Sequence, residues 1–282
     1  MARYDARAGS WPLDSEIRVV VTEDEQTYVR ISGPVDGPPL VLLPGEWDTS
    51  LMWSPVIEAL SESFCTYAVD NPYNFGRSTN HQDSASPVDY AGWLSGLFDG
   101  LGLTDGISLV GCSFGAWLAA DYILHEPNRL AKSVWLSPPF AVISPPLESY
   151  VGGPLSMGAF LTPARLSVRA YLRWLMPQAV DAPWFDEHVD DIVWGLRGGF
   201  DERLALTEPR MLSDAELSSI EVPVLYVAGE LEQMCSVEEA VSRLAAVAPQ
   251  IETEIIPGAG HELPMGQPGE FSTRVLQFLL KR

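Results

Sequence analysis

The stretch Gly111-Cys112-Ser113-Phe114-Gly115 sets a serine between two glycines, directly after the apolar run Ile107 to Val110 and before a helical segment. A G-x-S-x-G pattern in strand–turn–helix context is the layout of a nucleophile elbow. The glycines let backbone pack closely around a sharp turn that lifts the serine hydroxyl above a sheet. Ser113 also falls at a helix N-terminus, whose dipole stabilises developing negative charge. A glycine-rich turn without chemistry is the plainer alternative, and the flanking elements argue against it.

A serine hydroxyl is a poor nucleophile near neutral pH and needs a base within hydrogen-bond reach. Four histidines are available. His81 falls in a polar loop, His125 near the far end of the elbow helix, and His188 among acidic residues in mid-chain. His261 lies in Pro257-Gly-Ala-Gly-His-Glu262, after a predicted strand and before the last helix. That loop belongs to the carboxyl edge of the sheet, where α/β sites gather. His261 is the expected base.

Such a base needs a carboxylate to fix its tautomer and stabilise the imidazolium. In elbow-type sites the acid falls between serine and histidine in chain order. The strand Val224 to Ala228 runs into Gly229-Glu230-Leu231-Glu232-Gln233. Glu232, further into the loop, is preferred, and Glu230 remains the alternative. An oxyanion hole is expected where Leu43-Pro44-Gly45-Glu46-Trp47 follows an apolar strand. The backbone N–H groups of Phe114 and Glu46 would face the developing charge, and the Glu46 carboxylate would have to point away from it.

These groups must be positioned by elements spread along the whole chain. Strand-like runs cover 16–21, 27–31, 40–43, 64–69, 107–111, 131–136, 223–228 and 251–256. Helical stretches cover 50–62, 88–102, 114–125, 236–248 and 268–280. Alternation of this kind predicts an α/β fold, a mostly parallel eight-stranded sheet flanked by helices. Residues 139–216 break the alternation with proline-rich breakers and aromatic helical segments, and read as an inserted helical cap. The core is then 11–138 and 217–282, with residues 1–10 a loose N-terminal arm.

The formal net charge of −21 repels nucleic-acid phosphates and anionic lipid headgroups, so neither partner is expected. No apolar run approaches the roughly 20 residues needed to span a bilayer. The N-terminus shows no secretory apolar region, and three cysteines do not suggest a disulfide framework, so a cytoplasmic location is expected. No Cys/His cluster marks a metal site, and the mechanism calls for no cofactor. Arg165, Arg169 and Arg173 share one helix face and are expected to pair with acidic neighbours.

Taken together, the stretches LVLLPGEWDTSLMWSP, AVDNPYNFGRS, DYAGWL, LVGCSFGAWLAADYILHEP, VPVLYVAGELEQM and IPGAGHELP resemble the bacterial carboxylesterase-like branch of the α/β-hydrolase superfamily. The resemblance spans nearly the whole chain. It implies a Ser–His–acid triad, with the acid at the Gly-x-x-Asp/Glu position, here Glu232, and a helical cap over the site. Three departures stand out: Pro44-Gly45 replaces the usual His-Gly, Asp70-Asn-Pro-Tyr73 lacks the first glycine of its motif, and Ala116 replaces a glycine.

The expectation is a serine hydrolase that cleaves an ester or thioester of a largely apolar small molecule, working as a monomer or homodimer. Trp47, Phe140, Trp174 and Trp194 are expected to contact that substrate. The cap region also carries Tyr150, Phe160, Tyr171, Trp184, Phe185 and Phe200, too many rings for so small an insertion to bury alone. An acyltransferase, cyclase or C–C hydrolase with the same triad is the first alternative. A ligand-binding protein with residual activity is the second.

Overall fold

Strands that are apolar on both faces have to lie at the centre of a covered sheet. In β3 (Pro39–Leu43), Leu40 and Leu42 enter the core on one face, Val41 and Leu43 the core on the other, and all four are fully buried. The computed structural model describes residues 2–81, 88–143, 152–199 and 209–281. Around β3 the strands β1 (Glu16–Val21), β2 (Glu25–Ser32), β4 (Cys65–Val69), β6 (Ile107–Cys112), β7 (Leu130–Leu136), β8 (Val224–Gly229) and β9 (Glu252–Ile256) form one sheet. Their order is β1-β2-β4-β3-β6-β7-β8-β9, antiparallel through β1, β2 and β4 and parallel from β4 onward. This is the expected eight-strand path. A ninth strand, β5 (Thr79–Asn80), is only two residues long and pairs with β2 off that path.

On one face of the sheet lie α3 (Tyr90–Leu101) and α4 (Phe114–His125), where Trp93, Leu97, Phe98 and Tyr122 pack against the strands. On the other lie α2 (Ile57–Ser61) and the C-terminal helix Pro268–Leu280, which bring Ile57, Leu60, Phe271 and Val275. The helix expected over 50–62 is broken into a 3-10 turn, Ser50–Trp53, and α2. Pro55 between them lacks the N–H a continuous helix requires.

Between β7 and β8 the described chain is helical: α5 (Gly152–Leu161), α6 (Arg165–Leu175) and α7 (Phe185–Gly199). Val168, Leu172, Phe185, Val189 and Ile192 form a separate apolar cluster there. Trp47 and Phe75, from loops of the sheet domain, complete that cluster. The contact is close: a Cβ on Gly195 would lie 2.5 Å from the Phe75 ring. Arg165 pairs with Asp190 at 3.2 Å and Arg169 with Asp186, so both arginines lace α6 to α7 rather than face a ligand.

The first ten residues are not a loose arm. Ala2–Ala8 form α1. Alanine and arginine favour helix, but seven residues do not hold a helix alone in water. Docking supplies the rest. Tyr4 is 4% exposed, its hydroxyl 3.2 Å from Ser50 Oγ, while Arg3 pairs with Asp191 and Arg7 with Glu187 on α7.

Candidate active site

The turn after β6 brings Ser113 to the carboxyl end of the sheet, with φ 52° and ψ −118°. That backbone is costly for a residue bearing a Cβ and is held by its neighbours. The Ser113 N–H donates to Leu136 O of β7 at 2.8 Å. Both flanking glycines are forced by close approach. A Cβ on Gly111 would lie 2.1 Å from Gly115 O, and one on Gly115 would lie 2.4 Å from Leu43 O.

The loops after β8 and β9 are laced together. Leu231 N–H donates to Ala259 O at 2.7 Å, and Glu230 N–H donates to Ile256 O at 3.0 Å. This sets Glu232 beside His261. Glu232 Oε2 lies 2.7 Å from His261 Nδ1, and His261 Nε2 lies 2.8 Å from Ser113 Oγ. The other oxygen, Oε1, accepts the N–H groups of Gln233 at 2.8 Å and Met234 at 2.7 Å. Glu230 points elsewhere and accepts from Gly258 N–H at the exposed rim. His81 and His125 are exposed and away from Ser113; His125 lies 3.4 Å from Asp121.

Burial works against charge on Glu232, yet His261 and the Met234 N–H hold its carboxyl below the usual carboxylate range. For His261 burial favours the neutral ring, and the Glu232 charge and hydrogen bond overcome it, raising the imidazole above its ordinary value. The site therefore holds an ionised acid against a base of enhanced proton affinity.

Gly45 is pressed against the serine, since a Cβ on it would lie 3.4 Å from Ser113 Cβ. The N–H groups of Glu46 and Phe114 donate to no protein acceptor among the described residues. Asn74 pins this turn from behind, its amide donating to Gly45 O and Asp48 O at 3.1 Å each. Asp70 holds the following turn through the Ser50 N–H at 2.8 Å. Nothing in the sequence singles out Asn74, whose role depends on the fold of two separate loops.

Ser113 and His261 open on a cleft of about 710 Å³. Trp47, Phe140, Tyr171, Leu172, Ile192 and Met234 supply most of its apolar wall. The Glu46 carboxyl lines it too, reached from within the cleft yet surrounded by protein, and burial pushes it up to about 7. Trp174 and Trp194 are not part of this wall. Trp174 stacks on the outer side of Tyr171, with centroids 6.2 Å apart, and packs against the helical cluster. Trp194 faces a second pocket of about 470 Å³, beyond Trp47 and Asp48 and lined also by Arg3, Tyr4 and Arg7 of α1. Helical periodicity does not say which face of α6 or α7 looks toward the serine. Phe185 is fully buried within the helical cluster, and Tyr150 and Phe200 lie outside the described residues.

Two carboxylates and a histidine that the sequence left unassigned, Asp48, Glu262 and His188 of α7, lie together and buried. Nothing local marks them, because each comes from a different part of the chain.

Residues 40–274 match the model of the alpha/beta hydrolase family. Carboxylesterase YbfK of Bacillus subtilis is 36% identical over 98% of this chain and 92% of its own. The crystal structure of that carboxylesterase, also called CesB, superposes with a TM-score of 0.88 at 34% identity, covering 99% of this chain and 96% of its own. The naproxen esterase (carboxylesterase NP) of the same organism gives a TM-score of 0.87 at 33% identity, covering 98% of this chain and 95% of its own. On sequence and architecture alike, the chain belongs to the alpha/beta hydrolase family.

Proposed function

We propose that this protein is a serine carboxylesterase acting on esters of largely apolar small molecules through an acyl-enzyme. The observation that carries this reading is the hydrogen-bonded series Ser113–His261–Glu232 at the floor of an aromatic-lined cleft. Ser113 Oγ attacks the ester carbonyl as His261 Nε2 takes its proton. Glu232 keeps the Nδ1 proton in place and stabilises the imidazolium. The oxyanion is met by the N–H groups of Phe114 and Glu46. Collapse expels the alkoxide, which leaves as the alcohol with the proton from His261. Water then gives a proton to His261, attacks the acyl-enzyme, and returns Ser113 to its hydroxyl form. Only side-chain and backbone groups of this chain are called on.

The full-length likeness to proteins named carboxylesterases supports this reading. Helices α5 to α7 act as a cap, with Phe140 and Tyr171 contacting the apolar part of the substrate opposite Trp47. We place the protein in the cytoplasm, a reading supported by three buried cysteines that are all free. A panel of p-nitrophenyl esters and acyl thioesters tests the activity. Sustained turnover is expected, better for bulky aromatic or long-chain acyl groups than for short hydrophilic ones. Ser113→Ala should lower it by about 10⁴ to 10⁶ while keeping the fold. Near-normal turnover in that variant would sink the serine mechanism.

A further inference from the structure

His188 of α7 takes no part in the ester cleavage above, yet its side chain is only 4% exposed. Its Nε2 faces Glu262 Oε2 at 3.2 Å and its Nδ1 faces Asp48 Oδ1 at 3.9 Å. The two carboxylates are themselves buried, at 7% and 8% side-chain exposure. Asp48 belongs to the turn that carries Glu46, and Glu262 directly follows His261. One imidazole thus spans from the cap to both loops that bear the reacting machinery.

Three such donors invite a metal assignment. The contacts favour another role, because each carboxylate pairs with a different ring nitrogen while a metal binds an imidazole through one; the donor atoms still lie close enough together that treatment with EDTA has to be part of the test. What the arrangement suits is an imidazolium between two carboxylates. Burial opposes a charge on His188, but Glu262 and Asp48 outweigh it and push the ring up to about 9. Burial and Glu262 in turn raise the Asp48 carboxyl well above the usual range.

Resting on the serine-esterase reading, we propose that His188 is a positioning residue that ties the cap to the oxyanion turn and the His261 loop and offsets two buried carboxylates acting on the catalytic base. His261 experiences Glu232 first, then Glu262 and Asp48, all of which favour its protonated form. Asp191 is a further charged neighbour of His188, and α1 balances it with Arg3 and Arg7. Trp184 closes the remaining side, its ring edge-on at 6.1 Å. Losing the His188 charge leaves His261 in a more negative field. Losing the Glu262 charge does the reverse.

The test is the pH profile of kcat/KM on a p-nitrophenyl ester for wild type, His188→Gln and Glu262→Gln, each checked for fold by circular dichroism. The acid limb reports the free-enzyme base. It should move up by ~0.3 to 1 pH unit in His188→Gln and down by a similar amount in Glu262→Gln. A purely structural role would lower the melting temperature without moving the limbs apart. Limbs that stay at the wild-type position in both variants overturn the proposal. So does activity lost from the wild type on treatment with EDTA and restored by zinc, which would assign the cluster to an ion. If His188→Gln does not fold, Glu262→Gln decides alone: a downward limb supports the proposal and an unmoved one overturns it. Full activity in Ser113→Ala would overturn the esterase reading itself, and this proposal with it. Normal dependence on Ser113 with unmoved limbs overturns the proposal alone.

Discussion

Glu232 gives its two oxygens different work: Oε2 meets His261 Nδ1 at 2.7 Å, and Oε1 is clamped by the N–H groups of Gln233 and Met234. The carboxylate is therefore oriented by its own turn as well as by the imidazole. A side chain with three torsions is fixed at the cost of a two-residue turn.

Glu232→Gln keeps the size of the group and removes its charge. Turnover should fall by about 10³ to 10⁴, because the ring is no longer held in the productive tautomer. The base must be neutral to accept a proton, so kcat/KM rises with pH through the pKa of His261. Glu232 raises that pKa, so the wild-type acid limb should lie above the ordinary imidazole value and move to lower pH in the variant. An acid limb that moves up would contradict the assignment.

Gly115→Ala introduces a Cβ that would lie 2.4 Å from Leu43 O and 2.5 Å from Pro44 O. Both contacts are with backbone, so β3 and the elbow have to part. A loss of roughly 1–3 kcal/mol is expected, measured by urea unfolding. The Pro44 end of the oxyanion turn moves with it, so kcat should drop as well. Wild-type stability and kcat together would show that the turn is looser than described.

Asn74→Ala removes the amide that holds Gly45 O and Asp48 O. Two buried carbonyls lose a donor, a cost of about 1–3 kcal/mol. The kinetic signature should be lower kcat with KM little changed, since the turn matters most when the oxyanion forms. A rise in KM with kcat intact would place Asn74 in substrate binding instead.

Phe140→Ala and Trp174→Ala separate the cleft wall from the cap interior. Phe140 lines the cleft, and its loss should lower kcat/KM for an aromatic ester by about tenfold relative to an acetate ester. Trp174 lies behind Tyr171, and its loss should leave that ratio within about twofold. The reverse ranking would mean that the substrate enters from the other side of α6.

What could be read from the sequence was local chemistry. Ser113, His261 and Glu232 each follow a strand in a short motif whose residue types have few other uses, and the structure links them through two short hydrogen bonds. The helices Phe114–His125 and Pro268–Leu280 begin and end where the pattern placed them, because an elbow and a proline mark their starts. Glu232 in preference to Glu230 followed from depth in the loop, and the laced turns give the reason. His188, Asp48 and Glu262 were out of reach, as their partnership is made by packing across some 214 positions of chain and not by spacing. Trp174 and Trp194 failed as cleft residues for a related reason. Aromatic content counts rings but does not orient them. The N-terminal residues were misjudged because their helix depends on surfaces far away in sequence.

That dependence has a consequence for the order in which the molecule is completed. Arg3 hydrogen-bonds Asp191 across 188 positions, so α1 finds these partners only once α7 has been made. Until then α1 has only its contacts on the sheet domain, and the second pocket that its residues line lacks its α7 side. A helix made early thus completes the molecule late, and crowding at α1 would be felt by α7 as well as by β2, on whose Tyr28 its Tyr4 packs.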